Sequence, residues 1–267
     1  MAERTALITG ASSGIGEEYA RRLAGRGYNL VLVARRADRL ETIAADLATR
    51  HGIRAEVLAA DLGDRAGTQR VEERLATDDS LAVLIHAAGF GTIGEFIEKS
   101  VDREVEMIDV HDVAAVRLTH AVLPGMIARG GGVIIHVSSI AGMVGGAGNV
   151  VYGASKAFLN TFCLGLQAEL RGTGVRVQAL CPGFTYTEFH DTAEYRDFQR
   201  SSVPRPLWMS AQTVVSDSLA GLKTSKVVVV PGLRNRVIVF VARSGLVQRF
   251  WHNLAVRLRR RALAPRG

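Results

Sequence analysis

Short apolar runs alternate with longer amphipathic runs along most of this chain, and this alternation constrains the fold more than any other feature. Runs such as TALITG, NLVLVAR and LAVLIHAAG are almost wholly apolar, whereas the runs between them carry apolar residues at helical spacing. Parallel strands covered by helices on both faces read as continuous Val, Ile and Leu, because neither face meets water. The pattern therefore predicts an α/β fold, with a doubly wound parallel sheet of seven strands in three layers.

The length and composition fit one folded domain followed by an extension. The chain has 267 residues, of which 48% are hydrophobic and 22% charged, as in globular proteins. Because no Pro- or Ser-rich linker divides the alternating pattern, we expect a single domain over residues 1–235. A loop at about 188–210 breaks the pattern, and residues 236–267 are predicted to form a basic, amphipathic, helical extension.

The positive charge of the chain is concentrated near its end. Residues 218–267 contain eleven Lys and Arg and no Asp or Glu. Nucleic-acid-binding domains more often spread basic residues over a folded face, so nucleic acid is not an expected partner. Docking on its own domain or on a twin subunit is the favoured role of the extension, and contact with an anionic membrane surface is the alternative. The apolar stripe of the predicted extension consists of Leu246, Phe250, Leu254 and Leu258.

Targeting and metal-binding signals are weak. The first ten residues, MAERTALITG, enter an apolar strand without a charged leader, and no apolar run approaches the roughly 20 residues of a membrane-spanning helix. Cys163 and Cys181 form no disulfide framework, and the histidines lack metal-ligand spacing. We therefore expect a cytoplasmic protein without a metal, with association at the membrane periphery as the alternative.

A glycine-rich turn follows the first predicted strand. TGASSGIG places Gly10, Gly14 and Gly16 between this strand and a helix, where glycine lets the backbone approach a pyrophosphate held by the helix N-terminus. A turn that merely closes the strand is the alternative. Arg35 and Arg36 follow the second strand, where an acidic residue selects NAD and an arginine accommodates the 2′-phosphate of NADP. We expect NADP(H) to be favoured over NAD(H), with Arg35 the stronger candidate.

Tyr152 and Lys156 stand four residues apart in a predicted helix. Residues at this spacing share one helix face, so a phenol and an ammonium group can address the same small site. Surface helices carry such pairs without any chemistry. The spacing by itself therefore leaves both a catalytic pair and an ordinary helix face open.

Taken together, these motifs resemble those of the short-chain dehydrogenase/reductase family over residues 4–232. The resemblance implies a Rossmann-like fold, a homodimer or homotetramer, and an NADP-dependent oxidoreductase that interconverts a carbonyl and an alcohol. The motifs that carry it are TGASSGIG, Asp61-Leu62, HAAG at 86–89, VSS at 137–139, YGASK at 152–156 and CPGFTYT at 181–187.

The resemblance also implies roles for individual residues. Tyr152 would act as general acid or base, although an unperturbed phenol of pKa near 10 is a poor base. Lys156 would favour the phenolate and hold the nicotinamide ribose, and Ser139 would hydrogen-bond the substrate oxygen. The predicted cofactor-binding residues are Gly10, Ser12, Ser13, Gly14, Ile15, Gly16, Arg35, Arg36, Asp61, Leu62, Ala88, Gly89, Tyr152, Lys156, Pro182, Gly183, Thr185 and Thr187. The predicted substrate contacts are Ser139, Tyr152, Met143, Phe184 and Phe189.

Apolar and aromatic residues dominate the predicted substrate side. They favour an uncharged, hydrophobic carbonyl or alcohol over a sugar phosphate. By resemblance to the family fold, the loop at about 188–210 would cover the nicotinamide. The alternative is a surface loop that packs its own aromatic residues.

Two histidines replace asparagines that are common in the family. His86 in HAAG replaces a mainly structural residue. His111 stands where an asparagine usually holds a water in a helix bulge, through which protons pass from the lysine to solvent. The imidazole of His111 suits that relay, because it donates, accepts and titrates near neutrality. The alternatives are a buried histidine with a rerouted or weakened relay, and a cofactor-binding protein that has lost catalysis.

Overall fold

A parallel sheet of seven strands forms the centre of the computed structural model, which describes residues 3–196 and 198–244. Its strands are β1 (Thr5–Thr9), β2 (Asn29–Ala34), β3 (Ala55–Ala59), β4 (Leu81–His86), β5 (Gly132–Val137), β6 (Val175–Leu180) and β9 (Val228–Val229). The order across the sheet is β3-β2-β1-β4-β5-β6-β9. A separate parallel ladder pairs β7 (Thr185–Tyr186) with β8 (Met209–Ser210). The predicted α/β fold with a Rossmann-like, seven-stranded sheet is confirmed.

Helices cover both faces of this sheet. The helices in the described part of the chain are α1 (Gly14–Ala24), α2 (Ala37–His51), α3 (Arg65–Ala76), α4 (Val101–Ile108), α5 (Ala114–Ala128), α6 (Val150–Glu169), α7 (Ala211–Gly221) and α8 (Leu233–Ala242). One core layer contains Tyr19, Leu40 and Val214, from α1, α2 and α7. The other contains Val71 and Leu118, from α3 and α5, and residues of α6. These two cores explain the apolar strands, whose side chains are buried on both faces of the sheet.

The strand order reverses direction at β1, which lies between β2 and β4. In doubly wound sheets, ligands bind in the crevice at the carboxyl ends of the strands beside such a reversal. Thr9 ends β1 and pairs in register with His86, which ends β4 and pairs with His136 of β5. The motifs that follow β1, β2, β4, β5 and β6 therefore emerge at one edge of the sheet.

A π-helical turn over Asp109–Val113 joins α4 to α5. Such turns insert one extra residue into a helix and frequently occur at functional sites. His111 lies at the middle of this turn and is fully buried. The helix bulge that the family resemblance implies is therefore present, with a histidine inside it.

The segment after β7 departs from the strand–helix alternation. Its described residues form four short 3₁₀ turns before α7: Glu188–His190, Ala193–Tyr195, Arg200–Ser202 and Arg205–Leu207. The predicted boundary between residues 235 and 236 falls within α8. Asn235 is buried and its side-chain amide donates to the carbonyl of Pro231 at 3.0 Å.

Part of the predicted extension lies outside the described residues. This part includes its apolar stripe of Leu246, Phe250, Leu254 and Leu258. Within residues 3–196 and 198–244, no helix is both long enough and apolar enough to cross a membrane. The cytoplasmic location remains a prediction.

Candidate active site

One continuous cavity of about 1210 Å³ lies at the carboxyl edge of the sheet. Cavities that hold a single small ligand usually measure roughly 300–1,000 Å³, so this cavity has room for an extended ligand beside a second one. All the predicted cofactor-binding residues line it. Of the other predicted site residues, Ser139, Phe184 and Phe189 line it, whereas Met143 and His111 do not.

The glycine turn forms one wall of the cavity. Gly10 and Gly14 have φ of +65° and +59°, values that favour glycine. A Cβ on Gly10 would lie 2.8 Å from the backbone of Ala87, and one on Gly16 would lie 2.2 Å from the carbonyl oxygen of Gly10. The backbone at the start of α1 therefore faces the cavity without side chains over it. The free N–H groups of a helix N-terminus attract phosphate. This cradle fits the pyrophosphate of a dinucleotide.

Arginines lie at the adenosine end of the cavity. Arg36 donates from Nη2 to the Ser12 hydroxyl at 3.0 Å and from Nη1 to Oε2 of Glu188 at 3.0 Å. Arg39, one turn further along α2, pairs with the other oxygen of Glu188. Arg35 is more exposed, and its Nη1 lies 3.7 Å from Oδ2 of Asp61. The structure therefore ties Arg36 to the glycine turn, whereas the sequence favoured Arg35.

Asp61 and Leu62 complete this end of the cavity. Asp61 follows β3 and accepts a hydrogen bond from the backbone N–H of Gly63 at 2.9 Å, which fixes its carboxylate in the loop. Leu62 is buried beside it. Thr187 lies across from the glycine turn, because a Cβ on Gly14 would contact its methyl group at 2.9 Å.

The predicted catalytic residues converge further along the cavity. Lys156 Nζ lies 5.7 Å from the centre of the Tyr152 ring and donates to the carbonyl of Val137 at 3.0 Å. Ser139 follows β5, and its Oγ accepts from the backbone N–H of Ala141 at 3.1 Å. Ser138 instead donates to the carbonyl of Lys156, a contact within the fold. A phenol, a hydroxyl and an ammonium group are thus brought to one point.

Burial dominates the electrostatics at this point. It raises the pKa of Tyr152 to about 12, against the effect of the Ser139 hydroxyl. Burial also lowers the pKa of Lys156 to about 8, against the attraction of Asp112. The phenol thus holds its proton at neutral pH, as a general acid must before it donates.

His111 has a protein partner at each ring nitrogen. The backbone N–H of Phe90 donates to Nε2 at 3.1 Å, so Nε2 carries no hydrogen. Nδ1 then donates to Ser155 Oγ at 2.9 Å, and this hydroxyl donates to the carbonyl of Tyr152. Burial and the nearby Lys156 charge place the pKa of His111 well below its usual value. A proton relay through this ring would have to break one of these bonds.

His86 ties the strand ends together. Its Nε2 donates to the carbonyl of Val110 at 3.0 Å, and its Nδ1 lies 3.0 Å from the Thr9 hydroxyl. Because Thr9 Oγ1 also accepts from the N–H groups of Ala87 and Ala88, its hydrogen is available for Nδ1. Burial, followed by the Lys156 charge, lowers the pKa of His86 to about 4. This neutral ring therefore joins β1, β4 and the π turn.

Asp112 is a feature of the site that the sequence analysis missed. It is buried beside His111, and its Oδ1 has no hydrogen-bond partner among the described residues. Burial raises its pKa to about 7, although the Lys156 charge acts in the opposite direction. The available signal was the carboxylate of Asp112 directly after His111, inside the mostly apolar run MIDVHDVAAV.

Aromatic side chains enclose the substrate end. The Phe189 ring lies 5.9 Å from that of Tyr152 and 5.4 Å from that of Tyr195, and Phe184 stacks on Phe198. Met143 was predicted here, but it packs against the core. The turn Ile140–Gly142 brings the following residues, beginning with Val144, to the cavity instead.

The charged groups at the substrate end are paired. The Arg103 guanidinium lies 2.6 Å from Glu106 and 2.6 Å from Glu194, and it stacks on the ring of Phe90. Two carboxylates therefore already neutralise this cation. In the described part of the chain, no three His, Cys, Asp or Glu side chains gather as metal ligands.

Comparisons with known proteins assign the chain to a family. A family model described as short chain dehydrogenase matches residues 4–197. The chain belongs to the short-chain dehydrogenase family. It is therefore an oxidoreductase by family, and the resemblance first seen in the sequence motifs is confirmed.

Three similar proteins extend this finding. A probable NADP-dependent dehydrogenase of Haemophilus influenzae is 35% identical over 83% of this chain and 86% of its own length. A short-chain dehydrogenase from Sphingobium yanoikuyae in complex with NADPH has a TM-score of 0.80 and 33% identity, over 99% of this chain and 97% of that one. A bulky-bulky ketone specific alcohol dehydrogenase from Comamonas testosteroni has a TM-score of 0.76 and 30% identity, over 100% and 97%. The first two agree with the expected preference for NADP(H) over NAD(H).

Proposed function

We propose that the protein is an NADP(H)-dependent oxidoreductase that interconverts a bulky, uncharged ketone and its secondary alcohol. The observation that carries this proposal is the meeting of Tyr152, Ser139 and Lys156 beside an aromatic end of the cavity. The glycine cradle and the arginines at the other end fit a phosphorylated dinucleotide. The oxidoreductase class is inferred from the family, whereas the substrate class is inferred from the residues that line the cavity.

In this proposal, the bound nicotinamide cofactor supplies or accepts the hydride. The Ser139 hydroxyl holds the substrate oxygen, and the Tyr152 hydroxyl gives that oxygen its proton during reduction. Lys156 then stabilises the phenolate left on Tyr152, because an adjacent positive charge favours the charged form of an acid. In alcohol oxidation, the same phenolate accepts the proton.

The substrate class follows from the aromatic wall and from the paired state of Arg103. Phe184, Phe189 and Tyr195 offer apolar surface to a large substrate. Arg103 already has two carboxylate partners, so an anionic substrate would have to displace one of them. The Comamonas relative acts, by its description, on ketones with two bulky substituents. A bulky neutral ketone is therefore favoured over a keto acid.

A homodimer or homotetramer is part of the proposal. Large apolar side chains are exposed on the outer helices α4, α5 and α6; examples are Val105, Val116, Phe158 and Leu164. Extensive exposed apolar surface on a folded domain commonly marks a protein interface. Light scattering on the purified protein tests this proposal, which predicts twice or four times the mass of one chain.

The second candidate is an NADP-binding protein with little or no turnover. The observation that favours it is His111, because both ring nitrogens are engaged and a relay through this ring lacks a free nitrogen. The intact Ser139, Tyr152 and Lys156 set favours catalysis.

The test follows reduced-nicotinamide absorbance with NADPH and with NADH over a panel of bulky ketones, small aldehydes and keto acids. Tyr152→Phe is the matched control, since it removes only the phenolic hydroxyl. We expect turnover of bulky ketones with NADPH and a loss of about 10²- to 10⁴-fold in the variant. Cofactor binding without turnover of any carbonyl or alcohol would favour the second candidate.

A further inference from the structure

Glu188 holds two arginines at the adenosine end of the cavity. Its Oε2 lies 3.0 Å from Arg36 Nη1, and its Oε1 accepts from Arg39 Nη1 at 2.5 Å. Glu188 begins the turn Glu188–His190, far along the chain from both partners. All three side chains line the cavity. The segment after β7 therefore pairs the Glu188 carboxylate with Arg36 and Arg39, the two cations expected to bind the 2′-phosphate.

The position of the pair makes it a competitor for phosphate. Arg36 also donates to Ser12 in the glycine turn, so its guanidinium stands beside the dinucleotide cradle. A 2′-phosphate in this place would use the guanidinium hydrogens of Arg36 and Arg39, and arginine forks suit phosphate and carboxylate equally. A cofactor without this phosphate would leave Glu188 in place.

The exposure of the pair makes it displaceable. The side chains of Arg36, Arg39 and Glu188 retain 45%, 41% and 43% of their exposure. Ion pairs this accessible contribute little to stability and are screened by salt. A doubly charged phosphate can therefore replace the single carboxylate.

We propose that Glu188 is an internal counter-ion that the cofactor 2′-phosphate displaces from Arg36 and Arg39. It thereby limits the preference for NADP(H) over NAD(H) and is a specificity-determining residue. This inference rests on the cofactor class in the proposed function. It adds a residue outside the glycine turn and outside the loop after β2, where cofactor selection is expected.

Glu194 provides a matched control in the same segment. It pairs with Arg103 at 2.6 Å, at the substrate end of the cavity. Glu194→Gln therefore weakens one attachment of the segment without freeing a cation near the adenosine. Glu188→Gln weakens the attachment of the segment to Arg36 and Arg39 and frees these two cations. A difference between the two variants isolates charge competition from a general loosening of the segment.

The experiment is calorimetric titration of the native protein and both variants with 2′,5′-ADP and with 5′-AMP at fixed ionic strength. We expect Glu188→Gln to bind 2′,5′-ADP about threefold to tenfold more tightly than the native protein, from two exposed ion pairs. Binding of 5′-AMP should stay within about twofold, because it lacks the 2′-phosphate that competes with Glu188. Glu194→Gln should change neither probe by more than that.

Several outcomes would overturn the inference. Weaker binding of 2′,5′-ADP by Glu188→Gln would mean that Glu188 positions the arginines. An equal gain for both probes would mean that the lost negative charge favours any anion, without selection for the 2′-phosphate. The same gain in Glu194→Gln would mean that loosening of the segment, and not charge competition, opens the cavity. If neither the native protein nor a variant binds 2′,5′-ADP, Arg36 and Arg39 do not form a 2′-phosphate site and the inference is wrong. These titrations need no turnover, so an inactive protein with the expected selectivity would contradict only the proposed catalysis.

Discussion

The two ends of the cavity are built in different ways. The cofactor end is shaped by backbone: Gly10, Gly14 and Gly16 leave no room for a side chain, and their neighbours are other backbone atoms or Thr187. The substrate end is shaped by side chains that pack on each other, such as Phe184 against Phe198 and Phe189 against Tyr195. Backbone contacts cannot adjust to an added carbon, whereas aromatic side chains can be exchanged. We therefore expect substitutions at the first end to disrupt binding and folding, and those at the second to change substrate choice.

Both ends contrast with three buried histidines, His86, His111 and His136, which do not line the cavity, and protonation of these three rings should have the largest effect. His86 has a folded pKa of about 4 and an ordinary value of 6.5, so its contribution to stability is complete above pH 6.5 and is lost as the pH falls through 4. We expect this one group to contribute on the order of 3 kcal/mol of unfolding free energy over that window. Burial lowers the pKa of His111 and His136 as well, which adds to the same loss.

Urea unfolding at intervals from pH 7 to pH 4 measures this effect. His86→Asn should show a shallower fall in unfolding free energy, because the amide does not titrate. The exposed His120 supplies the control His120→Asn, in which the fall caused by the buried histidines should persist, because those rings are unchanged. Equal slopes in His86→Asn and the native protein would mean that other groups cause the acid sensitivity.

Glycine substitutions test the rigidity of the cofactor end directly. Gly16→Ala places a Cβ 2.2 Å from a backbone carbonyl oxygen, and we expect a loss of about 1–3 kcal/mol in unfolding free energy with much weaker NADPH binding. Gly165 lies in α6 with nothing within 4 Å of its would-be Cβ. Gly165→Ala should instead stabilise the protein by about 0.5–1 kcal/mol.

Thermal unfolding and NADPH fluorescence titration check both variants. If Gly16→Ala binds NADPH as tightly as Gly165→Ala does, the cofactor end adjusts after all. The distinction drawn between the two ends would then fail.

A substitution in the aromatic wall tests the other end. Phe189→Ala removes a ring beside Tyr152, and we expect kcat/KM for bulky ketones to fall about tenfold, the scale of discrimination that apolar pockets achieve. NADPH affinity should stay within about twofold of the native value. Phe189→Leu retains apolar bulk and is the matched control. A loss of NADPH affinity as large as the loss in kcat/KM would show that the aromatic wall serves the cofactor as well.

The same contrast explains what could be predicted from the sequence. The cofactor end is formed by residues just after strands, so Gly10 and Asp61 could be located once the strands were recognised, and Ser139 could be located after β5 in the same way. The pairing of Glu188 with Arg36 and Arg39 joins segments about 150 residues apart, and no local pattern indicates it. Met143 was misplaced because one short turn decides whether it or Val144 faces the cavity. The predicted boundary at 235 falls inside α8, because the apolar run of this helix continues through it.

The smallest effect is expected for His111→Asn, which restores the residue common in the family. Asparagine has both an acceptor and a donor, so it can serve the N–H of Phe90 and the hydroxyl of Ser155 as the imidazole does. If His111 only positions Ser155 and Tyr152, kcat should change by less than about threefold and the pH profile should keep its shape. His111→Ala leaves the N–H of Phe90 without its partner and should cost about 1–3 kcal/mol in stability.

The pH dependence of kcat separates the two roles of His111. Loss of a positioning residue changes kcat by the same factor at every pH. Loss of a relay group changes the pH at which kcat rises or falls, because the proton then passes through a titrating ring. A large rise in kcat for His111→Asn, together with a shifted profile, would show that the native relay is impaired and that the asparagine repairs it. An unchanged profile in His111→Asn would leave Asp112, with a pKa of about 7 and electrostatic coupling to Lys156, as the buried group to test next.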